Sequence, residues 1–297
     1  MLEAYLNNMA GVWKNVIVAG SGNEGAGRGH AAGNLQEDEV QLTEFAISEY
    51  ETVLNLQLWK NYADEFDVTV IAPSGERTVI RSSGKPGIIR ARLSGTELLI
   101  YYGEPSPYSA DQEIYLDFIP EGRYLTPGIW GIELLPQRIR DGAYDLWLPG
   151  IEAVNEGTGF LRPSAETTLT IPSTAEKVLT AGAYNSRTGS YAYFSGRGDT
   201  RFPRKRKPDL VAPGVDIRTT APGGGYAVVS GTSFAAPFVS AAAALLMQWG
   251  IVEGNDPYLY GDKVKAYLRR GARPLPEFAD YPNEQVGYGE DVIIRIH

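Results

Sequence analysis

The 36 acidic and 27 basic side chains of this 297-residue chain give a formal net charge of −9, a balance that argues against nucleic acid as a ligand. There is no cysteine, which excludes both a disulfide framework and a thiolate metal site, and there are only two histidines, His30 and His297. At 43% hydrophobic and 21% charged residues the chain has an ordinary globular composition, long enough for one large domain or two smaller ones, and neither a membrane span nor a secretory leader is expected.

Leu2, Tyr5, Leu6 and Met9 fall at helical spacing, and Gly11 is a stop signal. Val12 to Ala19 then forms a continuous apolar run, which predicts a central parallel strand buried on both faces. It ends in Gly20-Ser21-Gly22-Asn23-Glu24-Gly25, a string that satisfies the Gly-x-Gly-x-x-Gly dinucleotide fingerprint. That fingerprint must open a helix carrying the pyrophosphate on its end, and residues 26–33 are glycine-rich and unpatterned, so a nucleotide site is not expected. His30, alone in this stretch, reads as a solvated loop histidine.

From Gln36 to Thr168 the texture changes. Leu54, Leu56 and Leu58 alternate with polar neighbours, as do Ile114, Leu116 and Phe118, and Trp130, Ile132 and Leu134. Further strands are expected at Val68–Ile71, Leu98–Tyr102 and Tyr144–Leu148, separated by Pro73-Ser74-Gly75, Lys85-Pro86-Gly87, Pro105-Ser106-Pro107, Pro120-Glu121-Gly122 and Asp141-Gly142. Short alternating strands with such turns predict an antiparallel β-sandwich, jelly-roll-like, inserted into an α/β domain. Trp59, Tyr101, Tyr102, Tyr108 and Trp147 have two readings, core and cross-strand packing or a face that recognises a protein partner or substrate. Asp64 and Asp67 suggest a structural calcium, although two carboxylates fall short of the six or more oxygens such an ion takes.

The α/β texture resumes at Leu169, with Lys177 to Ala183 as another apolar strand and the basic run Arg201 to Lys207 as a solvated loop. Gly231-Thr232-Ser233 opens into the alanine-dense segment through Met247, which puts Ser233 at or just inside a helix N-terminus, where unpaired backbone N–H groups favour developing negative charge. Tyr258 to Ala272 reads as a second amphipathic helix with Val264, Tyr267 and Leu268 as its stripe, Arg269 and Arg270 at its end and Gly271 as its cap.

Gly231-Thr232-Ser233-Phe234-Ala235-Ala236-Pro237 resembles the nucleophile segment of the subtilisin-like serine proteases. Three other stretches match in that family's order: Val16 to Gly25, Lys207-Pro208-Asp209-Leu210-Val211-Ala212-Pro213-Gly214-Val215, and Gly287-Tyr288-Gly289, with Phe194-Ser195-Gly196-Arg197-Gly198 resembling a further family turn. The resemblance implies a partial subtilisin-like, doubly wound parallel sheet over residues 1–35 and 169–297, interrupted by the sandwich at 36–168. It implies Ser233 as nucleophile, Asn23 as the oxyanion donor, Gly22 and Thr232 on the substrate side, a protein or peptide substrate, and no cofactor or metal beyond a structural calcium. The family's Asp-Ser/Thr-Gly and His-Gly-Thr stretches do not occur; both are expected N-terminal to Leu2, in a missing amino-terminal half of the protease domain. The insert, together with Gln248-Trp249-Gly250 and Asn255 to Gly261, is most similar to the clostridial spore-germination subtilases. The alternative is a non-catalytic scaffold that binds a partner protein.

Overall fold

Residues 2–82, 87–104, 111–201 and 205–291 are described by a computed structural model. The chain divides into one unit of residues 1–26 with 165–297 and another of residues 27–164. The first unit opens with helix α1 (Leu2–Ala10) and strand β1 (Val18–Gly20). The second contributes β2 (His30–Asn34), β3 (Gln41–Ile47), β4 (Leu54–Asn61), β5 (Glu65–Ile71), β6 (Arg77–Ile80) and β7 (Gly87–Leu93). It continues with β8 (Thr96–Tyr102), β9 (Asp111–Pro120), β10 (Gly128–Arg138), β11 (Ala143–Trp147) and β12 (Gly159–Phe160). The chain returns to the first unit as β13 (Leu179–Asn185), β14 (Ser190–Tyr191), β15 (Leu210–Pro213), the hairpin β16 (Ile217–Thr220) and β17 (Tyr226–Val229), then helices α2 (Thr232–Met247) and α3 (Gly261–Gly271).

Alternation of apolar and polar residues dictates the second unit. Its strands form two antiparallel sheets, ordered β12-β3-β10-β5-β6 and β2-β11-β4-β9-β8-β7. Every second side chain of β4 and β9 points into a single core shared by both sheets, where Phe45, Phe118, Trp130 and Phe160 are fully buried. The rings of Phe118 and Trp130 meet edge to face with centroids 5.3 Å apart, and Trp130 Nε1 donates to Thr126 O at 3.0 Å, so its one polar atom is satisfied. Side chains of this size each stabilise the unit by roughly 1.5–3 kcal/mol on burial.

Several expectations change here. The strand-rich unit takes in residues 27–35, because β2 pairs with β11 from Asn34↔Ala143 to His30↔Trp147. His30 is not solvated: it is 3% exposed, its Nε2 lies 2.9 Å from Asp145 Oδ1, and it stacks on Trp147 at 4.9 Å. Tyr102 belongs to the core, whereas Trp59, Tyr101 and Trp147 alternate to the other side of their sheet; Tyr108 lies outside the described residues. Asp64 is buried, and its carboxylate accepts the backbone N–H groups of Arg140 (2.6 Å), Asp141 (2.9 Å) and Gly142 (2.9 Å), while Asp67 accepts Ser82 N–H at 2.8 Å.

In the first unit β13 lies between β1 and β15, parallel to both. Six of the seven β13 residues are buried, the continuous apolar pattern of a strand covered on its faces. The predicted strand over Val12–Ala19 shrinks to Val18–Gly20: Val12 and Trp13 are exposed, and Lys14 takes a left-handed turn at φ 67°. Helix α2 packs Ala235, Val239, Ala242, Ala243 and Leu246 into the core beneath this sheet, at the i, i+3, i+4 spacing of a helix face. With the π-helical turn Gln248–Val252 it forms a 21-residue helical segment that is long and apolar enough to cross a membrane, contrary to expectation. Val264 and Leu268 of α3 reach the same core.

The basic run is not wholly solvated either. Lys207 is 1% exposed and donates to Asp209 Oδ2 at 3.1 Å, to Val178 O and to Thr180 Oγ1. Lys265 Nζ lies 3.1 Å from the same carboxylate, and Arg269 Nε donates to Asp209 Oδ1 at 3.0 Å, so three cations surround one fully buried acid. Arg269 therefore serves this cluster rather than the end of α3, and Gly271 is the last residue of the helix, not its cap.

Candidate active site

The site forms where α2 begins. Gly231 precedes the helix at φ 154°, a conformation in which a side chain is strained, and its N–H donates to Gly214 O at 2.8 Å. Thr232 and Ser233 follow as the first two helical residues, with no acidic residue in the first turn to offset the partial positive charge of the helix end. Thr232 is 2% exposed, whereas Ser233 is exposed.

Asn23 reaches this helix end from the loop after β1. Its Oδ1 accepts the backbone N–H of Thr232 at 3.0 Å and the Thr232 hydroxyl at 3.2 Å. A backbone N–H can only donate, so the amide cannot be flipped, and Nδ2 must be the end directed away from Thr232. Among the described residues neither Asn23 Nδ2 nor Ser233 Oγ has a hydrogen-bond partner. A fixed amide donor and an exposed hydroxyl thus stand at the same positive helix end. Gly22 and Thr232, expected on the substrate side, are bonded to each other, Gly22 N–H donating to Thr232 Oγ1 at 3.1 Å. The pair clasps the Asn23 loop to α2.

The turn Phe194–Gly198 holds the loop from behind. Gly25 N–H donates to Phe194 O at 2.9 Å and Gly196 N–H to Gly22 O at 2.7 Å. The two segments approach so closely that a Cβ on Gly25 would stand 2.1 Å from Ser195 O, which is why that position needs glycine. The buried Ser195 hydroxyl accepts Ala183 N–H at 3.0 Å and meets Ser21 Oγ at 3.2 Å, tying the turn to β13 and to the loop. Tyr191 donates its hydroxyl to Ser195 O, and burial pushes that phenol up to about 12, so it remains a donor at any working pH.

Sequence reasoning missed the Thr232–Asn23–Gly22 clasp; the motif names Thr232, but nothing in it says that the hydroxyl is spent on a loop 209 residues away. No histidine joins the site among the described residues: His30 is bound to Asp145 in the other unit, and His297 lies outside them. No group of three or more histidine or carboxylate side chains placed to hold a metal occurs among the described residues.

Residues 153–289, which include Thr232 and Ser233 but not Asn23, match the subtilase family. The serine protease AprX of Bacillus subtilis (strain 168) is 33% identical over 147 residues, covering 43% of this chain and 31% of that protein. An intracellular serine protease of Paenibacillus polymyxa is 34% identical over 129 residues, covering 42% of this chain and 36% of its own length. The structure of the CspB protease of Clostridium perfringens matches 99% of this chain with a TM-score of 0.91 and 35% identity, and the match covers 60% of that chain. The chain therefore spans about a third of these curated relatives and 60% of the CspB structure. The chain is therefore similar to the subtilase family over the segment that carries Ser233, and to the CspB protease structure over nearly every residue.

Proposed function

We propose that this chain supplies the nucleophile and an oxyanion donor of a serine endopeptidase of the subtilisin type. Ser233 Oγ, giving its proton to a base, would attack the scissile carbonyl carbon; the carbonyl oxygen, negative in the tetrahedral intermediate, would sit between Asn23 Nδ2 and the Ser233 N–H, and cleavage of the C–N bond would release the amine, which takes up that proton, and leave an acyl-enzyme. The supporting observation is the direction of the Asn23 amide: Thr232 N–H holds its oxygen at 3.0 Å, which leaves the N–H₂ end available beside the helix that carries Ser233. The α2 N-terminus adds its own preference for negative charge there. The histidine base and its orienting aspartate would come from a segment of the protein outside these 297 residues. We read the second unit, with its two antiparallel sheets around one core, as a jelly-roll-like sandwich inserted in the peptidase fold.

A second reading, a non-catalytic scaffold, is favoured by one observation: among the described residues nothing accepts the proton of Ser233 Oγ. Fluorophosphonate labelling separates the two. The 297-residue chain alone should label negligibly, because an unassisted serine is a poor nucleophile, and a form carrying the base and its aspartate should label at Ser233. Absence of labelling in that longer form would leave the scaffold reading in place.

A further inference from the structure

The six-stranded sheet of the second unit has an outer face that core packing does not explain. On β4, β9 and β8 the side chains opposite the core include Asn55, Gln57 and Trp59, then Glu113, Tyr115 and Asp117, then Leu99 and Tyr101, with Asn61, Asp111, Ile119 and Glu97 at the margins. Register sets them in rows: Trp59 beside Glu113, Gln57 beside Tyr115 beside Tyr101, and Asn55 beside Asp117 beside Leu99. Three aromatic rings and two carboxylates therefore alternate on one surface about 10 Å wide across the strands and about 13 Å long. Tyr101 is 48% exposed, and Trp59 and Tyr115 are half-buried beside it.

The two carboxylates carry the argument. Neither Glu113 nor Asp117 has a hydrogen-bond or ion-pair partner among the described residues, and their cross-strand neighbours include no cation. Partial burial among the rings raises both acids above their ordinary range. A sheet face serving stability alone would pair such groups or replace them. Gln57 accepts from Trp59 Nε1 at 3.4 Å, which leaves its N–H₂ free to donate, and Asn55 offers both a donor and an acceptor.

We propose that this face, centred on Trp59, Tyr115 and Tyr101 with Glu113, Asp117 and Asn55 between them, binds an uncharged polysaccharide chain. A pyranose ring presents an apolar C–H surface that stacks on aromatic faces, and its rim of hydroxyls both donates and accepts. Carboxylates take the donated hydrogens, and the amides of Asn55 and Gln57 serve hydroxyls in either sense. A purely apolar protein partner would desolvate Glu113 and Asp117 without giving them donors. A basic peptide fits less well, since its cationic side chains carry no acceptor for the amide donors and would meet Arg90 and Arg92 on the adjoining strand β7, Arg90 lying 3.0 Å from Glu97. The proposal does not depend on the peptidase reading.

The test titrates the full chain with chitotetraose, cellotetraose and octalysine at low and high salt, followed by tryptophan fluorescence and calorimetry. At least one of the two saccharides should bind saturably and independently of salt. Tyr101→Ser and the double variant Glu113→Ala/Asp117→Ala should each weaken binding roughly tenfold or more, with melting curves showing that each variant is folded, while Leu42→Ser on the other sheet leaves binding unchanged. Failure of both saccharides to bind at up to about 10 mM, or binding undiminished in the folded variants, would overturn the proposal. Salt-sensitive binding of octalysine alone, lost in the double variant, would overturn it in favour of a basic peptide.

Discussion

Replacing Asp209 with asparagine tests the most concentrated electrostatic feature of the fold. The native carboxylate is fully buried, accepts Thr180 N–H at 2.6 Å, and lies 3.1 Å from both Lys207 Nζ and Lys265 Nζ, with Arg269 Nε at 3.0 Å. Burial by itself would raise this acid, but Lys207, Lys265, Arg269 and the Thr180 N–H together outweigh it and hold the carboxyl below its ordinary range. The variant keeps the volume, loses the charge and turns an N–H₂ toward cations; stranding buried charges in this way costs about 3–5 kcal/mol. Burial also lowers Lys265 to about 7, against an ordinary 10.5. Between those values the unfolded chain binds more protons than the folded one, so native stability rises with pH from about 7 upward. Without its counter-charge Lys265 falls further, the window opens at lower pH, and the variant regains ground sooner. Urea unfolding followed by tryptophan fluorescence should therefore show a loss of about 3–5 kcal/mol at pH 6 that shrinks by about 1 kcal/mol or more at pH 9. A loss under about 1 kcal/mol at pH 6, or one that grows with pH, would refute the reasoning.

Three further outcomes follow from the same structure. Asn23→Ala in a catalytically complete form should lower kcat about 100- to 1000-fold with little change in KM, a magnitude known from subtilisin itself rather than worked from these distances; steady-state kinetics on a peptide substrate checks it. Gly25→Ala should destabilise the first unit by about 1–3 kcal/mol, because the added methyl would stand 2.1 Å from Ser195 O, and an unchanged melting temperature would contradict the close approach. Asp64→Ala strands the N–H groups of Arg140, Asp141 and Gly142 and removes the carboxylate whose charge most favours the Lys60 ammonium, so thermal melting should report a loss of about 3 kcal/mol or more.

The sequence revealed the fold where burial was periodic. Leu54, Leu56 and Leu58 predicted β4 because one face of that strand is buried and the other is not, and Trp130, Ile132 and Leu134 did the same for β10. Strands β3, β6 and β7 were not anticipated: Glu44, Arg77 and Arg90 alternate with residues of mixed exposure near the sheet margins, so the apolar signal is weak. Motifs made Ser233 and Asn23 candidate site residues. Their geometry was not, since the clasp that orients Asn23 joins residues 209 positions apart. The same holds for His30 with Asp145, and for Asp209, whose partner Arg269 is 60 residues downstream. No membrane-length apolar run was expected from the sequence, because α2 and the π-helical turn Gln248–Val252 are not joined in that reading; together they are long and apolar enough to cross a membrane, while one face of α2 packs its alanines into the core.

The proposed function requires Ser233 Oγ and Asn23 Nδ2 to converge on one carbonyl oxygen. A crystal structure of a longer form that carries the proposed base and aspartate, acylated or phosphonylated at Ser233, measures this directly. The adduct oxygen should lie 2.7–3.1 Å, the usual oxyanion-hole spacing of about one hydrogen bond, from Asn23 Nδ2, with the Ser233 N–H as second donor and Asn23 Oδ1 still held by Thr232. An adduct oxygen turned to solvent, or an Asn23 amide swung away from the helix end, would contradict it.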